Sequence, residues 1–203
     1  MTISPEKNIL EIGCGMGTNS FMLAQKTGMR VLGTDLCEPF IEEAKHQYSM
    51  PGLRYEVLDF NHAAVFRDER FDYIVGNGIL HHLYHSLDEA LVNMRRLLKG
   101  NGKIIFLEPN LHNPYVYAIF SYSALRVKAH LEPGEMAFSK RWATRKLEGA
   151  GYRKIKVEYK DFLLPGIPDA LIKPSIVVGD VVEKLPLVRM LSQSIFISAE
   201  NAG

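Results

Sequence analysis

Apolar and polar positions follow two different periods along this chain, and the switching between them outlines the fold. Residues 9–12 are apolar apart from Glu11 and run into a loop in which Gly13, Gly15 and Gly17 alternate. Residues 18–26 resume a helical period with Phe21, Leu23 and Ala24. Short apolar runs at 30–34, 53–58, 71–75 and 103–107 read as further strands, separated by helical stretches such as 39–47. Strand and helix alternating in this way predict parallel strands with helices on both faces, an α/β doubly wound sheet. The helix after the fourth strand is the most legible. Ser86 and Glu89 have capping-box spacing, Leu87, Leu91, Met94 and Leu98 form one stripe, and Lys99-Gly100 close it before a turn at Asn101-Gly102. Residues 139–150 read as a helix with Trp142 and Leu147 inward, and 193–199 as a last strand. Between them, 152–160 sets Ile155, Val157 and Tyr159 against Lys154, Lys156, Glu158 and Lys160, the charged outer face of an edge strand.

The chain has 203 residues, 47% of them hydrophobic, which suits one domain over 1–203 with a sizeable core. A net charge of +1 gives no overall reason to expect a nucleic-acid partner. Cys14 and Cys37 are too few for a disulfide framework or a zinc site. No signal peptide is evident, which points to the cytoplasm.

The glycine loop is where chemistry first appears. A strand, a glycine turn and a helix start let bare backbone approach a nucleotide. The spacing is Glu11-x-Gly-x-Gly-x-Gly, with Thr18 where a dinucleotide fingerprint continues differently. A carboxylate two residues before the first glycine would repel a pyrophosphate but can accept hydrogen bonds from an ammonium group. The ligand therefore reads as a nucleoside with a cationic amino-acid tail. Asp35 ends the second strand, eighteen residues after Gly17, placed to hold two ribose hydroxyls or to cap the helix around Pro39.

These features, with Gly33-Thr34-Asp35, Leu58-Asp59-Phe60, 71–75 and Leu97-Leu98-Lys99-Gly100-Asn101-Gly102, resemble the class I S-adenosylmethionine-dependent methyltransferases over about residues 7–109. The resemblance implies a seven-stranded, mostly parallel sheet in the order 3-2-1-4-5-7-6 with the last strand antiparallel. It implies S-adenosylmethionine as cofactor, held by Glu11, Gly13, Cys14, Gly15, Gly17, Asp35, Leu36, Asp59, Phe60 and Asn77. Of these, Asp59 would accept from the adenine amino group, the Phe60 backbone would meet the ring, and the carbonyl near Asn77 would hold the methionine amino group. Residues 1–109 form the cofactor half and 110–203 the substrate half. Only about eight residues precede the first strand, where the family usually has one or two helices. One sheet face is then expected to show apolar surface, or to be covered by another segment or by the second copy in a homodimer.

Two apolar stretches, 111–132 and 162–191, read as helical flaps over the sheet. Prolines and charges break both below the ~20 apolar residues of a membrane span. The sharper reading is a lid for an apolar or lipid-like acceptor, with peripheral membrane contact. Ten Lys or Arg against four Glu in residues 126–160 leave a local excess of +6, read first as a solvated face and second as an anion site.

His81, His82 and His85 follow the fourth strand. With no cysteine or second histidine pair nearby, no metal is expected. His81, His82 and His112 are the candidate catalytic bases, each equally readable as a histidine that shapes the pocket. The expected reaction is methyl transfer to oxygen or carbon of a small or lipid-like acceptor. The rivals are a non-catalytic or partner-dependent cofactor-binding protein and an NAD(P)-dependent oxidoreductase, which would want a different glycine spacing.

Overall fold

The computed structural model describes residues 1–59, 69–163 and 166–203. Its elements run β1 (Asn8–Ile12), α1 (Thr18–Thr27), β2 (Arg30–Asp35), α2 (Glu38–Gln47), β3 (Leu53–Val57), β4 (Phe71–Asn77), α3 (Leu87–Leu97) and β5 (Leu98–Pro109). They continue through α4 (Pro114–Ser121), α5 (Ser123–Lys128), α6 (Lys140–Gly149), β6 (Arg153–Lys160), α7 (Asp169–Val182) and β7 (Ser194–Glu200). The strands form one sheet in the order β3-β2-β1-β4-β5-β7-β6. The first five pair in parallel, and β7 runs antiparallel to both β5 and β6. The expected order and the antiparallel last strand are both present.

Every residue of β1 is buried, because a central parallel strand is covered on both faces. Leu10 and Ile12 join Leu91, Met94, Phe106 and Ile197 in the larger core, while Ile9 faces Met29, Val31 and Tyr73 on the other side. Each such side chain contributes roughly 1.5–3 kcal/mol through burial. The charged strand β6 lies at the sheet edge, as its alternation requires.

Two local expectations fail at the ends of α3. Ser86 makes no side-chain capping bond, since its φ of −110° and ψ of 10° depart from the extended conformation that aims a hydroxyl at the first turn. Lys99 and Gly100 do not close the helix either. Leu98 leaves it in extended conformation, is buried, and pairs with Phe71 as the first residue of β5. Asn101-Gly102 then lies in an irregularity of the β4–β5 register and not in a turn. Burial of Leu98 and the Lys99–Asp72 ion pair at 2.6 Å outweigh the local turn preference.

The two flaps behave differently. In the first, Asn113 caps α4 by accepting from the amides of Tyr115 and Val116, and Val116 and Phe120 pack on Ala137. In the second, Gly179 is the one buried residue of α7, and Leu171, Val177 and Val178 are exposed. Among the described residues no helix is long and apolar enough to cross a membrane. On the α1 side of the sheet, an apolar cavity of about 470 Å³ lies between Met1, Ile3, Met22, Val75, Ile105 and Phe196.

Candidate active site

The sheet order reverses between β1 and β4, so the loops leaving these strands diverge and open a crevice at their C-terminal ends. Sequence fixes the shape of that crevice. Gly17 has a φ of +85°, and a Cβ there would sit 2.7 Å from the Tyr55 hydroxyl, which itself donates to the Gly17 carbonyl. Only glycine holds this turn without strain. The loop is clamped from β2. The Cys14 amide donates to the Thr34 carbonyl, and the Asp35 carboxylate accepts from the amides of Gly15 and Cys37, all at 2.9 Å. Asp35 does not cap α2, whose N-cap is Cys37 with no side-chain bond; it holds the Cys37 amide just before the helix, and the Gly15 bond ties the acid to the glycine loop.

A cavity of about 690 Å³ opens between this loop and the residues after β4. Gly13, Gly15, Asp35, Leu36 and Asp59 line it on the loop side, and Gly78, Ile79, His82 and Glu132 on the other. Its size is that of a small-molecule site. Gly15 faces open space, with nothing within 4 Å of where its Cβ would be.

Of the other expected cofactor residues, Glu11, Cys14, Gly17 and Asn77 do not line it. Cys14 is buried against Ile41, Ala44 and Tyr55, and burial pushes its thiol up to about 12, so it is not a nucleophile at neutral pH. Asn77 and Glu11 face the apolar cavity on the α1 side. Phe60 lies outside the described residues.

Glu11 is 2% exposed and accepts a hydrogen bond from the Ser20 hydroxyl. Burial raises its carboxyl to about 7, against the opposing bonds from Ser20 and Asn19. The sign for stability follows. Unfolded, Glu11 ionises near its ordinary value of 4.5; folded, it keeps its proton to about 7. The cofactor-free chain is therefore expected to lose stability as pH rises between these values, and to lose nothing further from Glu11 above the second. Glu11→Gln removes that loss, so it is expected to be about 3 kcal/mol more stable than the native chain at pH 8 and little different at pH 4. Urea unfolding of both proteins at the two pH values measures it; equal stability at pH 8 would mean Glu11 is not held in a desolvated site.

The histidines separate. His112 Nδ1 lies 3.1 Å from the Tyr159 hydroxyl and does not line the cavity. His82 lines the cavity and pairs through Nδ1 with Glu135 at 3.0 Å. His81 is buried behind it, with ring centroids 4.2 Å apart and its Nδ1 2.9 Å from Glu108. Glu108 also accepts from the amides of Ile79, Leu80 and His81, which fixes both the carboxylate and the ring it holds. Sequence reasoning missed Glu108 and Glu135. A signal for the first was present: Ile104, Phe106 and Glu108 share one buried register of the fifth strand, so an acid there is buried among apolar neighbours. Glu135 sits in an irregular stretch with no such pattern.

Comparison with known proteins agrees with this geometry. Residues 10–106 match the family described as a methyltransferase domain. A hybrid PKS-NRPS synthetase, poxE, of Penicillium oxalicum is 33% identical over 112 residues, 51% of this chain. The chain spans 3% of that synthetase's length. A SAM-dependent methyltransferase of Archaeoglobus fulgidus superposes with a TM-score of 0.67 at 20% identity, over 96% of this chain and 86% of that one. The CurJ carbon methyltransferase does so with a TM-score of 0.64 at 21% identity, over 100% of this chain and 50% of the other. Residues 10–106 belong to the methyltransferase-domain family, and the sheet that completes them has the fold of the class I S-adenosylmethionine-dependent methyltransferases.

Proposed function

We propose that this chain transfers a methyl group from S-adenosylmethionine to oxygen or carbon of a small or lipid-like acceptor, with His81 taking the acceptor's proton. The observation that carries this reading is the crevice cavity, with the Asp35 clamp on one wall and the Glu108–His81 pair behind the other. The donor set fits the cofactor. Each Asp35 oxygen accepts one backbone amide and keeps a further lone pair, which two ribose hydroxyls need. Asp59 supplies an acceptor for the adenine amino group, with Leu36 beside it. The bare backbone at Gly13 and Gly15 leaves room for the amino-acid tail, while Cys14 and Gly17 hold the loop's shape. Glu11 stands behind the loop, where the cofactor's ammonium group favours its ionised form. When bound, the cofactor supplies a methyl group already activated by its sulfonium.

The chain's own residues then align the acceptor and handle its proton. Glu108 fixes the His81 ring through Nδ1, which leaves Nε2 to accept a proton from an O–H or an acidic C–H. A carbon methyltransferase shares the fold, which keeps carbon beside oxygen as the atom methylated. The described residues of 111–132 and 162–191 include apolar side chains such as Val116, Phe120, Leu171 and Val177, the feature that favours an apolar acceptor. Uncovered α7 residues suit peripheral membrane contact, and the apolar α1-side cavity suits a homodimer contact.

Calorimetric titration with S-adenosylmethionine and S-adenosylhomocysteine, with NADH as control, tests the cofactor site. Micromolar binding of the first two and none of the third is expected. Asp35→Asn keeps one oxygen for the backbone amides and removes the charge. It is expected to weaken binding at least tenfold, about 1.4 kcal/mol, from loss of charge-assisted bonds to the ribose. Unchanged affinity would remove Asp35 from the site.

A further inference from the structure

The two histidines after β4 meet a carboxylate that the sequence places more than fifty residues later. One ring nitrogen from each of His81 and His82 and one carboxylate oxygen of Glu135 lie within 4.8 Å of one another. We infer that these three side chains form a binding site for a zinc-class divalent transition-metal ion beside the candidate active site.

The spacing supports this. His82 Nδ1 is 3.0 Å from Glu135 Oε1, and His81 Nε2 is 3.8 Å from Glu135 Oε2. Ligands about 2.0–2.1 Å from a tetrahedral ion are about 3.3 Å apart, so three ligand atoms within 4.8 Å of one another close on an ion by small side-chain movements. The 3.8 Å separation is too long for a hydrogen bond and leaves His81 Nε2 without one to Glu135.

Chemistry and burial point the same way. Glu135 is 3% exposed, and among the described residues no lysine or arginine pairs with its carboxylate. Besides the histidines it accepts from the Glu132 amide at 3.1 Å. A buried carboxylate facing two imidazoles calls for a cation, supplied by a protonated ring or a metal. Glu108 on His81 Nδ1 is the outer carboxylate that metal-bound histidines commonly have, and it fixes the tautomer that presents Nε2. Two imidazoles and one carboxylate suit zinc or cobalt over magnesium or calcium, which prefer all-oxygen sets. Three protein ligands leave a fourth position for water, and His82 lines the cavity from which water would reach it.

The site stands on this geometry alone, but its consequence rests on the proposed role of His81. An ion at His81 Nε2 takes the lone pair that accepts the acceptor's proton. The metal-loaded and transfer-competent states then exclude each other, and zinc is an inhibitor.

The test uses the full chain, freed of metal by a chelator; the binding arm needs no acceptor, and the inhibition arm uses a phenol as methyl acceptor. Zinc titration by calorimetry is expected to show one ion per chain at micromolar affinity or tighter. Cobalt(II) should give the visible absorption of a four-coordinate site. Glu135→Gln is expected to weaken zinc at least a hundredfold. His82→Ala, at a half-exposed position that tolerates change, should do the same and serves if the first variant does not fold. Native binding only at millimolar zinc, or binding unchanged in folded variants, would overturn the site. Zinc binding without inhibition of methyl transfer would leave the metal site standing and overturn His81 as base.

Discussion

Glu108→Ala is expected to destabilise the chain by about 5 kcal/mol, the largest single-substitution effect foreseen here. Glu108 is 1% exposed, and its two oxygens accept from three backbone amides and one imidazole. Removing them leaves donors stranded in a dry site, at about 1–3 kcal/mol each. The vacated side-chain volume adds a cavity. Glu108→Gln keeps one carbonyl oxygen and should lose about half as much. Urea unfolding of the three proteins measures both values. A loss below about 1 kcal/mol in the alanine variant would mean the turn after β4 finds its partners elsewhere, and Glu108 could not be what fixes His81.

His81→Gln is expected to lower methyl transfer about a thousandfold while leaving S-adenosylmethionine affinity within a factor of two. A positioned base contributes about 10²–10⁴ in rate, and glutamine fills similar space without accepting a proton. The measurement is S-adenosylhomocysteine formed from phenols and from 1,3-dicarbonyl compounds, which offer an acidic O–H and C–H respectively. The loss should fall on kcat and not on KM, because the ring acts during proton transfer and not in holding the acceptor. His112→Gln should stay within a few-fold of the native rate, since its ring faces Tyr159 away from the cavity. If His81→Gln turns over normally and His112→Gln does not, the roles given to the two histidines are reversed.

These two residues show how unevenly the site could be read. His81 was accessible because it lies just past a strand end, a place where site residues gather in such sheets. Its partner Glu108 is 27 positions away on a neighbouring strand, and only the parallel pairing of β4 with β5 brings them together. Glu135 reaches the same histidines from the stretch before α6, which carries neither the two-residue nor the helical period. Asp35 was legible as an acid at a strand tip beside the glycine loop, where the structure has it accept from the amides of Gly15 and Cys37. Glu11 was read as an acceptor for the ligand's ammonium group; the structure sets it on the wall of the α1-side cavity, bonded to Ser20, a position that the glycine spacing alone does not give. Alternation along β1 explains this. Leu10 and Ile12 go to one face, so Ile9 and Glu11 go to the other.

By itself the sequence determined the alternation of strands and helices, the glycine turn at Gly13, Gly15 and Gly17, and the acid at Asp35. Each depends on periods and backbone preferences that act over a few residues. The exits of α3 were misread for the complementary reason: Leu98, Lys99 and Gly102 answer to Phe71, Asp72 and Asn201 and not to their neighbours in the chain. Tertiary structure alone decided which carboxylate holds which histidine, which side of the sheet Glu11 faces, and that α7 stays largely uncovered. Such pairings depend on strand order and distant packing, where burial of a charged group outweighs any local preference.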